Sequence, residues 1–160
     1  MSPGDLVKFL NDVFTAFDRL VERHGLEKIK TTGDNYMVVS GVPVARSDHA
    51  AALVRLGIEM LDAAGDMQDP NGRGVAIRVG IASGPVVAGV VGTKKFFYDV
   101  WGDAVNVASR MESTGVPGRI QICPETYAQV SDQFEFEGRG PIDIKGKGKM
   151  TTWLVIDHRE

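Results

Sequence analysis

The chain has 160 residues, of which 43% are hydrophobic and 24% charged, a composition that suits one compact domain with a core of its own. Its formal net charge of −3 disfavours a nucleic-acid-binding protein, because no basic excess is available to neutralise phosphates. Cys123 is the only cysteine, which excludes an internal disulfide and a cysteine-rich metal cluster and agrees with a reducing compartment.

The first half of the chain predicts a helix, a hairpin and a second helix. Ser2 and Pro3 are typical of a helix start, and Gly25 is typical of the residue after a helix end. Between them apolar residues recur every three or four positions, which indicates an amphipathic helix. The Gly33-Asp34 pair favours a tight turn between strands. The elements predicted here are a helix up to residue 24, strands over 27–32 and 36–39, and a helix over 47–66.

The second half of the chain predicts mixed strands and helices without a repeat or linker. The predicted strands cover 75–83, 86–91 and 120–123, the predicted helices cover 103–112 and 124–130, and short strands flank 145–149. We therefore predict one domain over residues 1–160, a sandwich of α+β or α/β class built on a single sheet. No apolar run approaches the roughly 20 residues of a membrane span, so we expect a cytoplasmic domain, alone or as the cytosolic part of a larger, membrane-anchored protein.

Three groups of residues are candidates for chemistry, and each also has a structural explanation. Asp34 lies at the hairpin turn, where its carboxylate is placed either to reach a hard cation or to bond its own backbone. Asp103, Asn106 and Arg110 are spaced to lie on one helix face, as a phosphate and sugar site or as a solvated polar face. The lysines and glycines of 145–149 are suited to wrap a polyphosphate or to form an exposed turn. Spacing alone favours the structural explanations.

The order of four motifs along the chain resembles the catalytic domain of class III nucleotide cyclases. The motifs are GLEKIKTTGD at 25–34, IRVGIASGPVVAGVVG at 77–92, YDVWGDAVNVASRME at 98–112 and IKGKG at 144–148. The third motif is highly specific, and the likeness runs from about residue 5 to residue 156. The resemblance implies the ferredoxin-like (βαββαβ, palm-type) α+β sandwich of these cyclases and is similar in flavour to bacterial adenylyl cyclases that act as homodimers.

The resemblance also implies a role for each matching residue. In this family two chains pair head to tail, and each active site is built from both chains. One chain is expected to supply Asp34 as a metal ligand and Arg78 as a polyphosphate contact. The other chain is expected to supply the residues that hold the nucleotide: Lys30 and Asp99 at the adenine edge, Asn106 at the ribose, Arg110 at the reacting phosphate and Lys145 at the terminal phosphate.

The implied reaction converts ATP into 3′,5′-cyclic AMP and pyrophosphate for intracellular signalling. Two divalent ions, Mg²⁺ or Mn²⁺, are expected at each site, where they assist attack of the ribose 3′-hydroxyl on the α-phosphate. ATP is the expected substrate because adenine presents an amino donor and a ring-nitrogen acceptor, which Asp99 and Lys30 satisfy. Guanylyl cyclases typically carry Glu and Cys at these two positions.

The sequence departs from the family pattern at its N-terminal end. In the family, a strand with the first metal aspartate precedes the first helix, and the matching segment is missing from this sequence. We therefore expect a sheet without one of its central strands, a metal site with one carboxylate fewer, and slow turnover or none by this chain alone. Two alternatives stay open: a non-catalytic cyclase-like module that binds nucleotide or a partner, and, with less support, a guanylyl cyclase.

Overall fold

A computed structural model describes residues 2–42, 44–91 and 97–156 of the chain. It contains helices interspersed with groups of consecutive strands, as expected for the α+β class. The helices are α1 (Pro3–His24), α2 (His49–Gly65), α3 (Asp103–Ser113) and α4 (Pro124–Val130). The strands are β1 (Glu27–Thr32), β2 (Asn35–Val39), β3 (Val79–Ile81), β4 (Val87–Val91), β5 (Phe97–Trp101), β6 (Ile120–Ile122), β7 (Glu135–Ile144) and β8 (Gly148–Ile156).

The first helix begins and ends at the residues that the sequence predicts. The hydroxyl of Ser2 accepts a hydrogen bond of 3.1 Å from the Asp5 backbone N–H, which caps the first turn. Gly25 ends the helix in the left-handed conformation, with φ of 67°, which glycine adopts without a Cβ clash. The buried face of α1 packs against α2 in one hydrophobic cluster that includes Val13, Phe17, Leu20 and Val21 of α1 and Leu56, Met60 and Ala64 of α2.

In the described ranges the strands form three separate sheets, which corrects the prediction of a single sheet. A four-stranded mixed sheet has the order β3-β6-β8-β7, with β3 parallel to β6 and β8 antiparallel to both of its neighbours. Strands β1 and β2 form a separate antiparallel hairpin, and so do β4 and β5. The sequence analysis did not predict β5 as a strand, because its residues show no alternation of apolar and polar side chains.

An apolar groove of about 1020 Å³ lies where β2 and β3 face each other. Its walls include Phe9 and Val13 of α1, Leu53 of α2, and residues of both strands. Within the described ranges, β2 pairs with β1 alone and β3 pairs with β6 alone, so each strand keeps one edge without a ladder partner.

The remaining core lies on the two faces of the four-stranded sheet. Ile120 and Ile122 of β6 pack with α2 and α4 on one face. On the other face, Val107 and Met111 of α3 pack with Cys123 and Ile144. No helix in the described part of the chain is both long and apolar enough to cross a bilayer.

Candidate active site

Lys30 and Asp99, which are 69 residues apart in the chain, meet as an ion pair between β1 and β5. Lys30 Nζ donates to Asp99 Oδ2 at 3.0 Å, and the Val100 backbone N–H donates to Asp99 Oδ1 at 2.8 Å. The Asp99 side chain is 8% exposed, whereas that of Lys30 is 45% exposed. The hydrogen bond from Lys30 holds the pKa of Asp99 below its ordinary value, with help from the Val100 N–H and against the opposing effect of burial. The carboxylate therefore remains charged and only accepts hydrogen bonds.

Helix α3 presents the predicted polar residues on its outer face. Asn106 is exposed and Arg110 is half-buried, while Val107 and Met111 point into the core. Val107 and Met111 belong to the core cluster, whereas Val105 and Ala108 are only half-buried. The face that carries Asn106 and Arg110 is thus open to a ligand, as the spacing predicts.

Two glycines set the position of α3. A Cβ on Gly80 of β3 would lie 2.2 Å from the Glu112 backbone nitrogen and 2.5 Å from the Ala108 carbonyl oxygen, so α3 rests directly on the strand. Gly102, just before α3, has φ of 150°, and a Cβ there would lie 2.7 Å from the Pro85 carbonyl oxygen. Both glycines therefore allow backbone to approach where a side chain would not fit.

Asp34 and Arg78 both line the groove that residues of β2 and β3 border. Asp34 is exposed in the β1–β2 turn, and Arg78 directly precedes β3, where its Nε donates to Glu112 Oε2 at 3.0 Å. The groove wall includes Lys30, Asp34, Arg78 and Asn106. Asp99, Arg110 and Lys145 are not among its lining residues, so one chain brings together only part of the predicted set.

Lys145 lies in the turn between β7 and β8, where it is exposed. The next lysine, Lys147, forms an ion pair with Asp103 in the first turn of α3, and its N–H donates to the Ile144 carbonyl at 2.9 Å. The lysine-rich turn is therefore attached beside the helix that carries Asn106. Sequence analysis missed the Lys147–Asp103 pair and the Arg78–Glu112 pair, because each joins residues more than 30 positions apart and no local pattern marks them.

Asp34 is the side chain best placed for a hard cation, since an exposed carboxylate at a turn is a ligand that Mg²⁺ and Mn²⁺ accept. Glu112 also lines the groove, but its carboxylate is paired with Arg78. Among the described residues no group of three or more Asp, Glu, His or Cys side chains could hold a metal ion. One chain therefore fits a single carboxylate contact to a metal and does not by itself form a complete site for two ions.

Comparison with known proteins confirms the resemblance to nucleotide cyclases. The sequence profile of the adenylate and guanylate cyclase catalytic domain matches residues 1–157. An adenylate cyclase of Mycobacterium tuberculosis is 56% identical over 158 residues, which cover 99% of this chain and 36% of that protein. The guanylate cyclase soluble subunit beta-2 of Rattus norvegicus is 44% identical over 158 residues, which cover 98% of this chain and 23% of that protein. The chain thus spans well under half of each of these relatives.

A solved structure gives the same result for the fold. The catalytic core of a rhodopsin-guanylyl cyclase with converted specificity, in complex with ATPαS, matches with a TM-score of 0.92 and 37% identity. The match covers 99% of this chain and 86% of that chain. The family profile and the solved structure therefore identify the same kind of domain as the four sequence motifs. The chain belongs to the family of adenylate and guanylate cyclase catalytic domains.

Proposed function

We propose that the chain is the catalytic part of an adenylyl cyclase, which converts ATP into 3′,5′-cyclic AMP and pyrophosphate. The Lys30–Asp99 pair, with its 3.0 Å ion pair and charged carboxylate, is the observation that supports ATP most directly. The amino group of adenine donates a hydrogen bond and a ring nitrogen accepts one, so Asp99 and Lys30 match that edge. Guanine presents the opposite pattern there, and a buried carboxylate facing its carbonyl oxygen would be unfavourable.

The exposed face of α3 supplies the groups that act on the ribose and the phosphates. The Asn106 amide is suited to fix the ribose, so that its 3′-hydroxyl lies in line with the α-phosphorus. The Arg110 guanidinium donates to phosphate oxygens whose negative charge grows during the attack. A preorganised donor of this kind stabilises a transition state by roughly 3 to 4 kcal/mol.

Two further cations, Arg78 and Lys145, are proposed to bind the polyphosphate. Lys145 is exposed on its turn and free to approach a terminal phosphate. The Nε of Arg78 is paired with Glu112 at 3.0 Å, and the guanidinium has further N–H donors with which to hold phosphate oxygens.

Asp34 is proposed to bind Mg²⁺ or Mn²⁺ together with the triphosphate. A bound divalent ion would lower the pKa of the ribose hydroxyl and neutralise charge on the leaving pyrophosphate. The chain's own contribution is a hard oxygen ligand at a turn, on a groove wall that also includes Arg78. Because Glu112, the other carboxylate of the groove in the described ranges, is paired with Arg78, a full set of ligands needs a second acidic side chain from another segment or another chain.

A homodimer with shared sites is proposed because the predicted residues do not all meet in the groove of one chain. Lys30, Asp34, Arg78 and Asn106 line the groove, whereas Asp99, Arg110 and Lys145 do not. The β4–β5 hairpin, which holds Asp99, also exposes apolar side chains: Val87 is 68% exposed and Trp101, its ladder partner, is 46% exposed. Such a patch beside a site residue is suited to a second copy of the chain.

Asp34 and the Arg78-paired Glu112 are the carboxylates that line the groove in the described part of the chain, which also favours a second candidate, a cyclase-like module that binds nucleotide without turnover. The two functions differ in one measurement, cyclic AMP formation by the purified chain with ATP and Mn²⁺. We expect slow formation that Asp34→Ala abolishes, while Asp132→Ala, which removes an exposed acid between α4 and β7, leaves it unchanged.

Three outcomes separate the candidates. Activity that depends on Asp34 supports the enzyme. Activity that survives Asp34→Ala contradicts the assigned metal ligand. Silence that persists after fusion of an upstream strand bearing a second aspartate, with nucleotide still bound, supports the non-catalytic module.

A further inference from the structure

The last turn of α3, which follows Arg110, is bonded to the interior of the four-stranded sheet. Gln121 lies in the centre of β6 and is 0% exposed. Its Nε2 donates to the Met111 carbonyl and to Thr114 Oγ1, each at 2.9 Å. The Thr114 hydroxyl and N–H in turn donate to the Arg110 carbonyl, at 2.6 Å and 2.9 Å. A buried amide thus reaches the backbone of Arg110 through one threonine.

Arg139 completes this network from β7. The ladder between β7 and β8 shifts register between Gly138 and Gly140, which leaves Arg139 as the extra residue of a β-bulge. A bulge redirects the side chain of its extra residue. Here the Arg139 Nη1 donates to Gln121 Oε1 at 2.6 Å and also to the Thr114 carbonyl. The positive guanidinium therefore lies beside carbonyls just beyond the C-terminal end of α3, where a cation is favourable.

The chemistry of Arg139 fixes the orientation of the Gln121 amide. A guanidinium only donates hydrogen bonds, so it holds the Gln121 carbonyl oxygen toward itself. The Gln121 amino group then points to the end of α3. Its two N–H groups donate hydrogen bonds to the Met111 carbonyl and to the Thr114 hydroxyl. The Met111 carbonyl, which only accepts, favours the same orientation, so without Arg139 the amide keeps one of these two contacts and its buried oxygen loses this donor. An exposed arginine thereby supports a buried hydrogen bond to the helix.

We propose that Arg139 and Gln121 are positioning residues, which fix the rotation and height of α3 and so aim Asn106 and Arg110. Neither residue is assigned a contact with the nucleotide. The consequence for catalysis rests on the proposed cyclase function, whereas the effect on α3 does not. An error of about 1 Å in the position of a reacting group lowers a rate as much as roughly 100-fold, so a small movement of the last turn is sufficient.

The test compares Arg139→Met with Arg139→Lys and with a matched control, Arg119→Met. Arg119 directly precedes β6 and pairs with Glu137 at 3.8 Å and with the Val155 carbonyl, not with α3. We expect Arg139→Met to lower kcat for cyclic AMP formation about 10-fold without a change in KM for ATP. Arg139→Lys, which keeps one donor, should recover part of the loss, and Arg119→Met should match wild type.

Hydrogen exchange of the amides at residues 110–116 gives a second readout that needs no turnover. We expect faster exchange there in Arg139→Met alone, because the last turn of α3 loses its attachment. Unchanged exchange in Arg139→Met, or an equal loss of kcat in Arg119→Met, would overturn the proposal. If neither wild type nor its fusion with an upstream strand bearing a second aspartate forms cyclic AMP, the proposed function fails, while the exchange rates still decide whether Arg139 holds α3.

Discussion

The pairing of Lys30 with Asp99 shows how two side chains acquire a chemical property that neither has alone. An isolated aspartate that is only 8% exposed would have a raised pKa, because burial disfavours its charged form. The ammonium group at 3.0 Å reverses that effect. The result is a buried acceptor that stays charged, next to a donor that is nearly half exposed. This combination is suited to a flat heterocycle with one donor and one acceptor.

The lowered pKa of Asp99 predicts a specific dependence of stability on pH. A carboxyl group with a depressed folded-state pKa stabilises the fold above its unfolded-state pKa, and that contribution is lost as the pH falls through the folded value. At neutral pH, the Asp99→Asn variant should therefore have a lower free energy of unfolding than wild type. Between about pH 4 and pH 2, the free energy of unfolding should fall less in the variant than in wild type. Urea unfolding at several pH values measures this.

The comparison with wild type isolates Asp99 from other acids. Asp18 and Asp48 also have lowered pKa values, but they are the same in both proteins and cancel in the difference. Parallel curves of unfolding free energy against pH for wild type and Asp99→Asn would show that the ion pair is not formed in the folded chain.

Helices and turns were predictable because their signals are local. The Ser2 cap, the Gly25 stop and the Gly33-Asp34 turn each depend on neighbours within a few residues, and the structure forms all three. The polar face of α3 followed from spacing alone. Strand β5 was missed because it depends on pairing with β4 rather than on its own pattern. The division of the strands into three separate sheets likewise follows from contacts between distant segments, and local periodicity does not predict such contacts.

The direct contact of α3 with β3 leads to a prediction for Gly80→Ala. The added methyl group would lie 2.2 Å from the Glu112 backbone nitrogen. The other nearest atoms are also backbone atoms of α3, which cannot turn away as a flexible side chain would. We expect a loss of about 3 kcal/mol in the free energy of unfolding, together with reduced activity as α3 moves. Thermal and urea unfolding of the purified variants measure the first effect.

Gly65→Ala is the matched control for this change. Gly65 is the last residue of α2, and a Cβ there meets nothing within 4 Å. Alanine should leave stability unchanged or raise it by about 0.5 kcal/mol, because it restricts the unfolded chain. If Gly80→Ala were as well tolerated as Gly65→Ala, α3 would not be seated directly on the strand.

Part of the exposed apolar surface of the folded chain is concentrated on the β4–β5 hairpin. Val87 and Trp101 form a patch on the β4–β5 hairpin, next to the buried Asp99. The predicted site residues are likewise divided between this hairpin, the outer face of α3 and the groove. A head-to-tail pair of chains would bury this patch and would also complete the site. We therefore expect one interface to account for both self-association and activity.

This arrangement predicts that Val87→Asp weakens self-association and cyclic AMP formation together. A charge placed in an apolar interface must be desolvated, so we expect dimer affinity to fall about 10-fold or more. Val44→Asp is the control, since Val44 is 77% exposed but lies between β2 and α2, away from the hairpin. Sedimentation velocity over a range of concentrations measures the affinity. Loss of activity without a change in association would contradict a shared site at this hairpin.

The claim that the chain is an adenylyl cyclase is tested most directly by exchanging the purine pair. The double substitution of Lys30→Glu and Asp99→Cys places a carboxylate and a thiol where the ammonium and carboxylate groups now meet. We predict that wild type cyclises ATP in preference to GTP with Mn²⁺, and that the double variant loses this preference by about 100-fold or reverses it, as expected when a bidentate hydrogen-bond match is removed. An unchanged ratio of kcat/KM for ATP and GTP in the double variant would contradict the account, because the purine would then be recognised elsewhere.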